Sequence, residues 1–122
     1  MSEGINLKQL ILLIQEHKNL SAHFCLDVGC VLPQADPKPL LKMINYCINY
    51  LRQLGNDDMQ IDLDTHRWGY LLVLIIPTKL SELPPFNPEI HEQLKPFSAT
   101  CSLLIEPSSY AKIEIKFHQS HA

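Results

Sequence analysis

Residues 35–56, ADPKPLLKMINYCINYLRQLGN, decide how the whole chain is read. Asp36-Pro37 is a helix start, because an aspartate carboxylate accepts a first-turn N–H and proline pre-sets the backbone angle of the first helical position. Leu40, Ile44, Cys47, Ile48, Leu51 and Leu54 then recur at helical spacing and define a buried stripe to about Leu54. Gly55-Asn56 is the stop. At about 100° per residue, Lys38, Lys42, Asn45, Asn49 and Arg52 fall together on the opposite face. Two asparagines one turn apart on a basic helix face are the first candidate site.

Outward from this helix the pattern alternates between periods. Asn6 to Lys18 is helical, with Leu7, Leu10, Ile11 and Ile14 on one stripe and Leu12 and Leu13 widening it. His23 to Val28 is strand-like, with Ala22, Phe24, Leu26 and Val28 on one face, and 29–37 is a loop. Met59 to Asp64 alternates and pairs through the turn at 66–69 with Tyr70 to Ile76, an apolar run expected of a central strand covered on both faces. Residues 78–88 form a loop with three prolines, Glu89 to Leu94 a short helix that Pro96 stops. Thr100 to Glu106 and Ala111 to Phe117 close as a second hairpin. The order α-β-α-β-β-α-β-β predicts an α+β fold, a two-layer sandwich of a mixed sheet with helices on one face. We divide it into an N-terminal helix at 1–20, a candidate dimerisation element because of its wide apolar arc, and a domain at 21–122.

At 122 residues the chain is one domain, able to bury roughly two-thirds of its unfolded surface. A net charge of -3 gives no electrostatic case for nucleic acid or an anionic membrane. The apolar runs Leu10 to Ile14 and Tyr70 to Ile76 are too short for a signal peptide or a membrane span. Cys25, Cys30, Cys47 and Cys101 are scattered through apolar stretches, as reduced thiols of a cytoplasmic protein are.

From about His23 to Phe117 this order resembles the ATP-binding domain of the GHKL (Bergerat-type) ATPases, histidine-kinase branch. The strand at 23–28 and the loop to Asp36-Pro37 look like the entry to that family's asparagine-box helix. Asn45-Tyr46-Cys47-Ile48-Asn49-Tyr50 resembles the box itself, and the two hairpins and short helix match the remainder. The resemblance implies that Asn45 and Asn49 are the cofactor-binding positions, toward magnesium and phosphate. It also draws attention to His17 as a phospho-acceptor, since such kinases carry one on a helix ahead of this domain.

The departures are chemical. The family's first glycine loop follows the second hairpin strand and carries an aspartate for the adenine. Here that strand runs into Ile76-Pro77-Thr78-Lys79-Leu80, and no glycine follows Gly69 anywhere in the chain. Backbone N–H groups cradle phosphate closely where glycine leaves room, so the main phosphate donors are missing. Tyr50 also stands where the family keeps a small residue. With these departures, the resemblance implies a degenerate, non-catalytic module that binds a protein partner, an adaptor or phosphotransfer scaffold in two-component-type signalling, with no cofactor expected. Two alternatives stay open: an ATP-dependent kinase or phosphotransfer enzyme with atypical loops, and an unrelated small α+β domain.

Plainer readings accompany each candidate. Asn45 and Asn49 share their face with Lys38, Lys42 and Arg52, which a solvated face explains and which could also receive an acidic protein partner. His17 at a helix end suits the helix dipole, and Lys18 follows where the kinase motif has an acid or asparagine. His23, Cys25 and Cys30 lack the paired spacing of a zinc site, so no metal is expected. Leu83-Pro84-Pro85-Phe86 is an apolar loop segment, a docking element or a rigid filler.

Overall fold

The computed structural model describes residues 4–55 and 57–119. Along the chain run β1 (Ile5–Asn6), α1 (Leu7–Lys18), β2 (Ala22–Leu26), β3 (Val31–Leu32), α2 (Lys38–Arg52), β4 (Met59–His66), β5 (Gly69–Pro77), α3 (Glu89–Leu94), a 3-10 turn (Lys95–Phe97), β6 (Ala99–Glu106) and β7 (Tyr110–His118). Five strands make one sheet in the order β2-β4-β5-β7-β6, and β1 pairs with β3 as a separate two-stranded ribbon. β2 lies parallel to β4, the α2 crossover joining them, and the other neighbours in the large sheet are antiparallel. The sheet is therefore mixed, as expected.

Alternation decides which face of the sheet is covered. Met59, Ile61 and Leu63 of β4, Leu72, Leu74 and Ile76 of β5, and Ile113, Ile115 and Phe117 of β7 point under the helices and are buried. Each fully buried side chain of this size contributes roughly 1.5–3 kcal/mol of transfer free energy. The opposite face is open, so the expectation that β5 is covered on both sides is corrected. Val73 on that face is shaded instead by its ladder neighbours Asp62 and Glu114. Glu114 is itself paired with Lys112 at 3.3 Å.

Helix α1 shares the common core through Leu7, Leu10, Ile11 and Ile14, while Leu12 and Leu13 are 39% and 42% exposed. Helix α1 thus packs into the same core as the sheet and α2. Asn6 caps α1, its side-chain oxygen accepting from the Gln9 N–H at 3.1 Å, and Asn19 ends it in the left-handed conformation. β1 takes Asn6 from the expected helix, and β3 falls inside the expected loop at 29–37. A two-residue pairing between distant stretches leaves no periodicity to detect. Val28 is exposed rather than inward, because β2 ends at Leu26.

Helix α2 starts one residue later than expected, with Pro37 at the cap position, while the Asp36 carboxylate accepts from the Lys38 N–H at 3.1 Å. Its buried stripe is as expected, with Leu40, Ile44, Cys47, Ile48, Leu51 and Leu54 all inside. Gly55 works by a different means from a left-handed stop. A Cβ there would collide with the Pro77 carbonyl oxygen, so glycine lets the end of α2 approach the end of β5. Asn56, read with it as the stop, lies outside the described residues.

Candidate functional site

By the resemblance drawn from the sequence, a nucleotide would sit between α2 and the loop 78–88 that leads to α3. That loop is tied down along its length. The Thr78 hydroxyl donates to the Leu54 carbonyl at 2.7 Å and accepts from the Leu80 N–H at 3.1 Å. The Ser108 N–H reaches the Leu80 carbonyl at 2.9 Å, joining the loop to the β6–β7 turn. Further along, the Tyr50 hydroxyl donates to the Pro84 carbonyl at 2.6 Å. The Asn87 N–H donates to the Tyr46 hydroxyl at 2.9 Å, and the Asn87 side chain accepts from the Glu89 N–H at 2.9 Å, opening α3.

Three rings complete the closure. Phe86 meets Tyr50 edge-on, 5.0 Å between centroids at 87°, and lies 5.5 Å from Tyr46. Tyr46 and Tyr50 are themselves 6.4 Å apart, one helical turn along α2. Such pairs are worth roughly 0.5–1.5 kcal/mol each beyond area burial. Pro84, Pro85 and Pro88 stiffen the segment that delivers Phe86. Burial, with Tyr46 alongside, raises the Tyr50 phenol above its ordinary range. Leu83 and Phe86 pack on the core, so the filler reading of that loop segment is the one observed.

The asparagine pair lies elsewhere on the helix. One residue is about 100° of rotation, and that step separates Asn45 from Tyr46 and Asn49 from Tyr50. Asn49 is exposed and accepts a 2.8 Å hydrogen bond from the Lys18 ammonium of α1. Asn45 is half-buried, and its side-chain oxygen is sealed with no hydrogen-bonding partner among the described residues. Neither lines the cavity of about 550 Å³ between α2 and α3, whose walls include Lys38, Lys42, Tyr46 and Asn87. The structure therefore brings the tyrosines, not the asparagines, to the loop side of α2.

The remaining candidates disperse. Lys38 and Lys42 stand at the α2–α3 cavity, whereas Arg52, about 15 Å further up the helix, lines a small separate cavity with Asp57 and Asp58. The basic face is thus split. His17 is exposed in the last turn of α1. His23 pairs with Asp58 at 3.4 Å, and Asp58 also accepts from the Ser21 hydroxyl at 2.5 Å. The Ser21 hydroxyl therefore meets the Asp58 carboxylate directly, and the His23 imidazole stands on the far side of that carboxylate rather than against the hydroxyl. Cys30 is buried against the Thr65 hydroxyl, burial raising its thiol, while His23 and Cys25 are exposed on β2. Among the described residues no group of three such side chains could hold a metal ion. Cys47 and Cys101 lie thiol to thiol beneath α2, and that contact, with burial, pushes the Cys47 thiol up.

Element order, sheet order and the α2–loop relation define a class: the ATP-binding-domain fold of histidine kinases. Solved structures bear this out. The ATP-binding domain of PrrB from Mycobacterium tuberculosis is matched with a TM-score of 0.72 at 14% identity, over 97% of this chain and 97% of that one. The histidine kinase domain of the E. coli osmosensor EnvZ is matched at 0.72 and 8% identity, over 99% and 92%. The Acinetobacter baumannii histidine kinase AdeS is matched at 0.68 and 11% identity, over 95% and 67%. Coverage this complete takes in α1, so the resemblance read from His23 onward extends to the N-terminal helix. No protein-family model and no curated protein matches the sequence. No helix among the described residues is long and apolar enough to cross a membrane.

Proposed function

We propose that this chain is a nucleotide-independent interaction module built on the histidine-kinase ATP-binding framework, serving as an adaptor or phosphotransfer scaffold in two-component-type signalling. One observation carries the reading: the loop-facing flank of α2 is filled by the protein's own Tyr46, Tyr50 and Phe86. A nucleotide base would have to displace a packed aromatic cluster and two hydrogen bonds to enter there. The phosphates would then meet a loop without a glycine. The signalling context is supported by the histidine kinases matched in structure.

Thermal unfolding with Mg-ATP and Mg-ADP to millimolar concentration tests the reading. A ligand at a hundredfold excess over its Kd adds about 2.7 kcal/mol to stability, so a binder raises the melting temperature visibly. The expected result is no change. A saturable rise that Asn49→Ala abolishes would restore the ATP-dependent enzyme as the better reading.

Self-association through α1 belongs to the same proposal. Leu12 and Leu13 are the exposed surplus of an otherwise buried apolar helix. Light scattering on the chain and on a Leu12→Glu, Leu13→Glu variant should give a dimer and a folded monomer, respectively. A monomeric wild type at high micromolar concentration rules the dimer out.

A further inference from the structure

A cavity of about 550 Å³ opens between α2 and α3 beside the aromatic cluster. Its floor is apolar, made by Pro39 and Met43 of α2 and Ile90 of α3, with the Tyr46 ring at one end. Lys38 and Lys42 stand along one rim, and no carboxylate lines the cavity. The three ion pairs of the described residues involve neither lysine, and neither ammonium has a hydrogen-bond partner among those residues. The nearby carboxylate of Glu92 is already held by Lys95 at 2.8 Å.

Spacing selects the occupant. Lys38 and Lys42 are four apart on one helix, so their side chains rise about 5–6 Å from one another. A second helix lying along α2 matches that interval with two carboxylates of its own, also four apart. From Lys38 to Tyr46 the floor runs about 12 Å, room for roughly two turns. An apolar side chain on the inner face of those turns would cover Met43 and Ile90. This is the helix-in-groove mode, with charge fixing the register.

We infer that the α2–α3 groove binds a short acidic amphipathic helix of a protein partner, Lys38 and Lys42 pairing with two carboxylates one turn apart. The inference rests on the interaction-module reading and supplies its docking site and partner chemistry. It also moves the partner site away from Arg52, which opens onto a different cavity beside Asp57 and Asp58.

Panning the intact protein against a displayed library of random 16-residue peptides tests it, followed by anisotropy titration of the enriched peptides. The expected peptides carry Asp or Glu at i and i+4 next to Leu, Ile, Met or Phe. Their Kd should weaken at least tenfold in Lys38→Glu and Lys42→Glu, and less in the paired Lys→Gln variants. Arg52→Glu should leave it within about twofold, circular dichroism confirming that every variant is folded. Failure to enrich, enrichment without an acidic pair, or equal loss in Arg52→Glu would overturn the assignment. So would displacement of the peptide by Mg-ATP, which would give the groove to a small anion. The two readings fail separately. A melting-temperature rise with Mg-ATP defeats the module whatever the peptides do, whereas no rise and no acidic peptides defeat the groove alone.

Discussion

Two flanks of α2 lie one residue apart around the helix and differ in everything that follows. Asn45 and Asn49 bear the spacing of a nucleotide-binding motif, yet the first has its oxygen sealed without a partner among the described residues and the second is taken by Lys18. Tyr46 and Tyr50 bear the same spacing a step later and carry the loop that precedes α3. A motif's spacing fixes which residues share a face. Helix phase relative to the neighbouring loop fixes what that face meets. Here the phase gives the loop to the aromatic pair.

The comparison can be broken most severely at the residue that sets the phase. Ile48 is 1% exposed on the buried stripe, and Ile48→Ala should cost about 2–5 kcal/mol in urea unfolding. A cost near zero would mean that α2 is rotated and the two flanks are misassigned. Next comes the loop's contribution. Phe86→Ala removes a half-buried ring and two aromatic contacts and should cost roughly 1–3 kcal/mol. A double-mutant cycle with Tyr50→Leu should show coupling of about 0.5–1.5 kcal/mol, and independent effects would disprove the cluster.

Tyr50→Phe keeps the ring and loses only the bond to the Pro84 carbonyl, so about 0.5–1.5 kcal/mol is expected. The pH dependence has a definite sign. The folded phenol is raised, so its contribution is full below the ordinary tyrosine value of about 10. It is lost as pH climbs through the raised folded value. Phenolate absorbance in a pH titration should lose a late-ionising component in Tyr50→Phe. The smallest effect belongs to the other flank: Asn49→Ala loses one exposed bond to Lys18 and should stay within about 0.5 kcal/mol.

The sequence carried the layering of this fold well, because the buried stripe from Leu40 to Leu54 and the alternation at Met59, Ile61 and Leu63 are local periodic signals. It did not carry the β1–β3 ribbon, which joins Ile5 to Leu32 with two residues on each side. Gly55 was visible as a helix end for the wrong reason, since its close approach to Pro77 depends on where β5 finishes. The site was half legible. Missing glycines after Gly69 are plain in the chain, and Tyr50 stood out as too large. That Tyr46 and Tyr50 would meet Phe86 depended on a loop path with no periodicity. Prolines at 84 and 85 mark such a loop as stiff but do not say where it lands.

The most direct measurement is an amide NMR titration of the intact protein with Mg-ATP, with ring-to-ring NOEs recorded in the same sample. The account predicts NOEs from Phe86 to both Tyr46 and Tyr50, and amide positions at Tyr46, Tyr50, Asn49 and Asn87 that stay fixed to millimolar nucleotide. Saturable shifts at those amides, accompanied by loss of the Phe86 NOEs, would show a nucleotide entering the loop side of α2 and would contradict it.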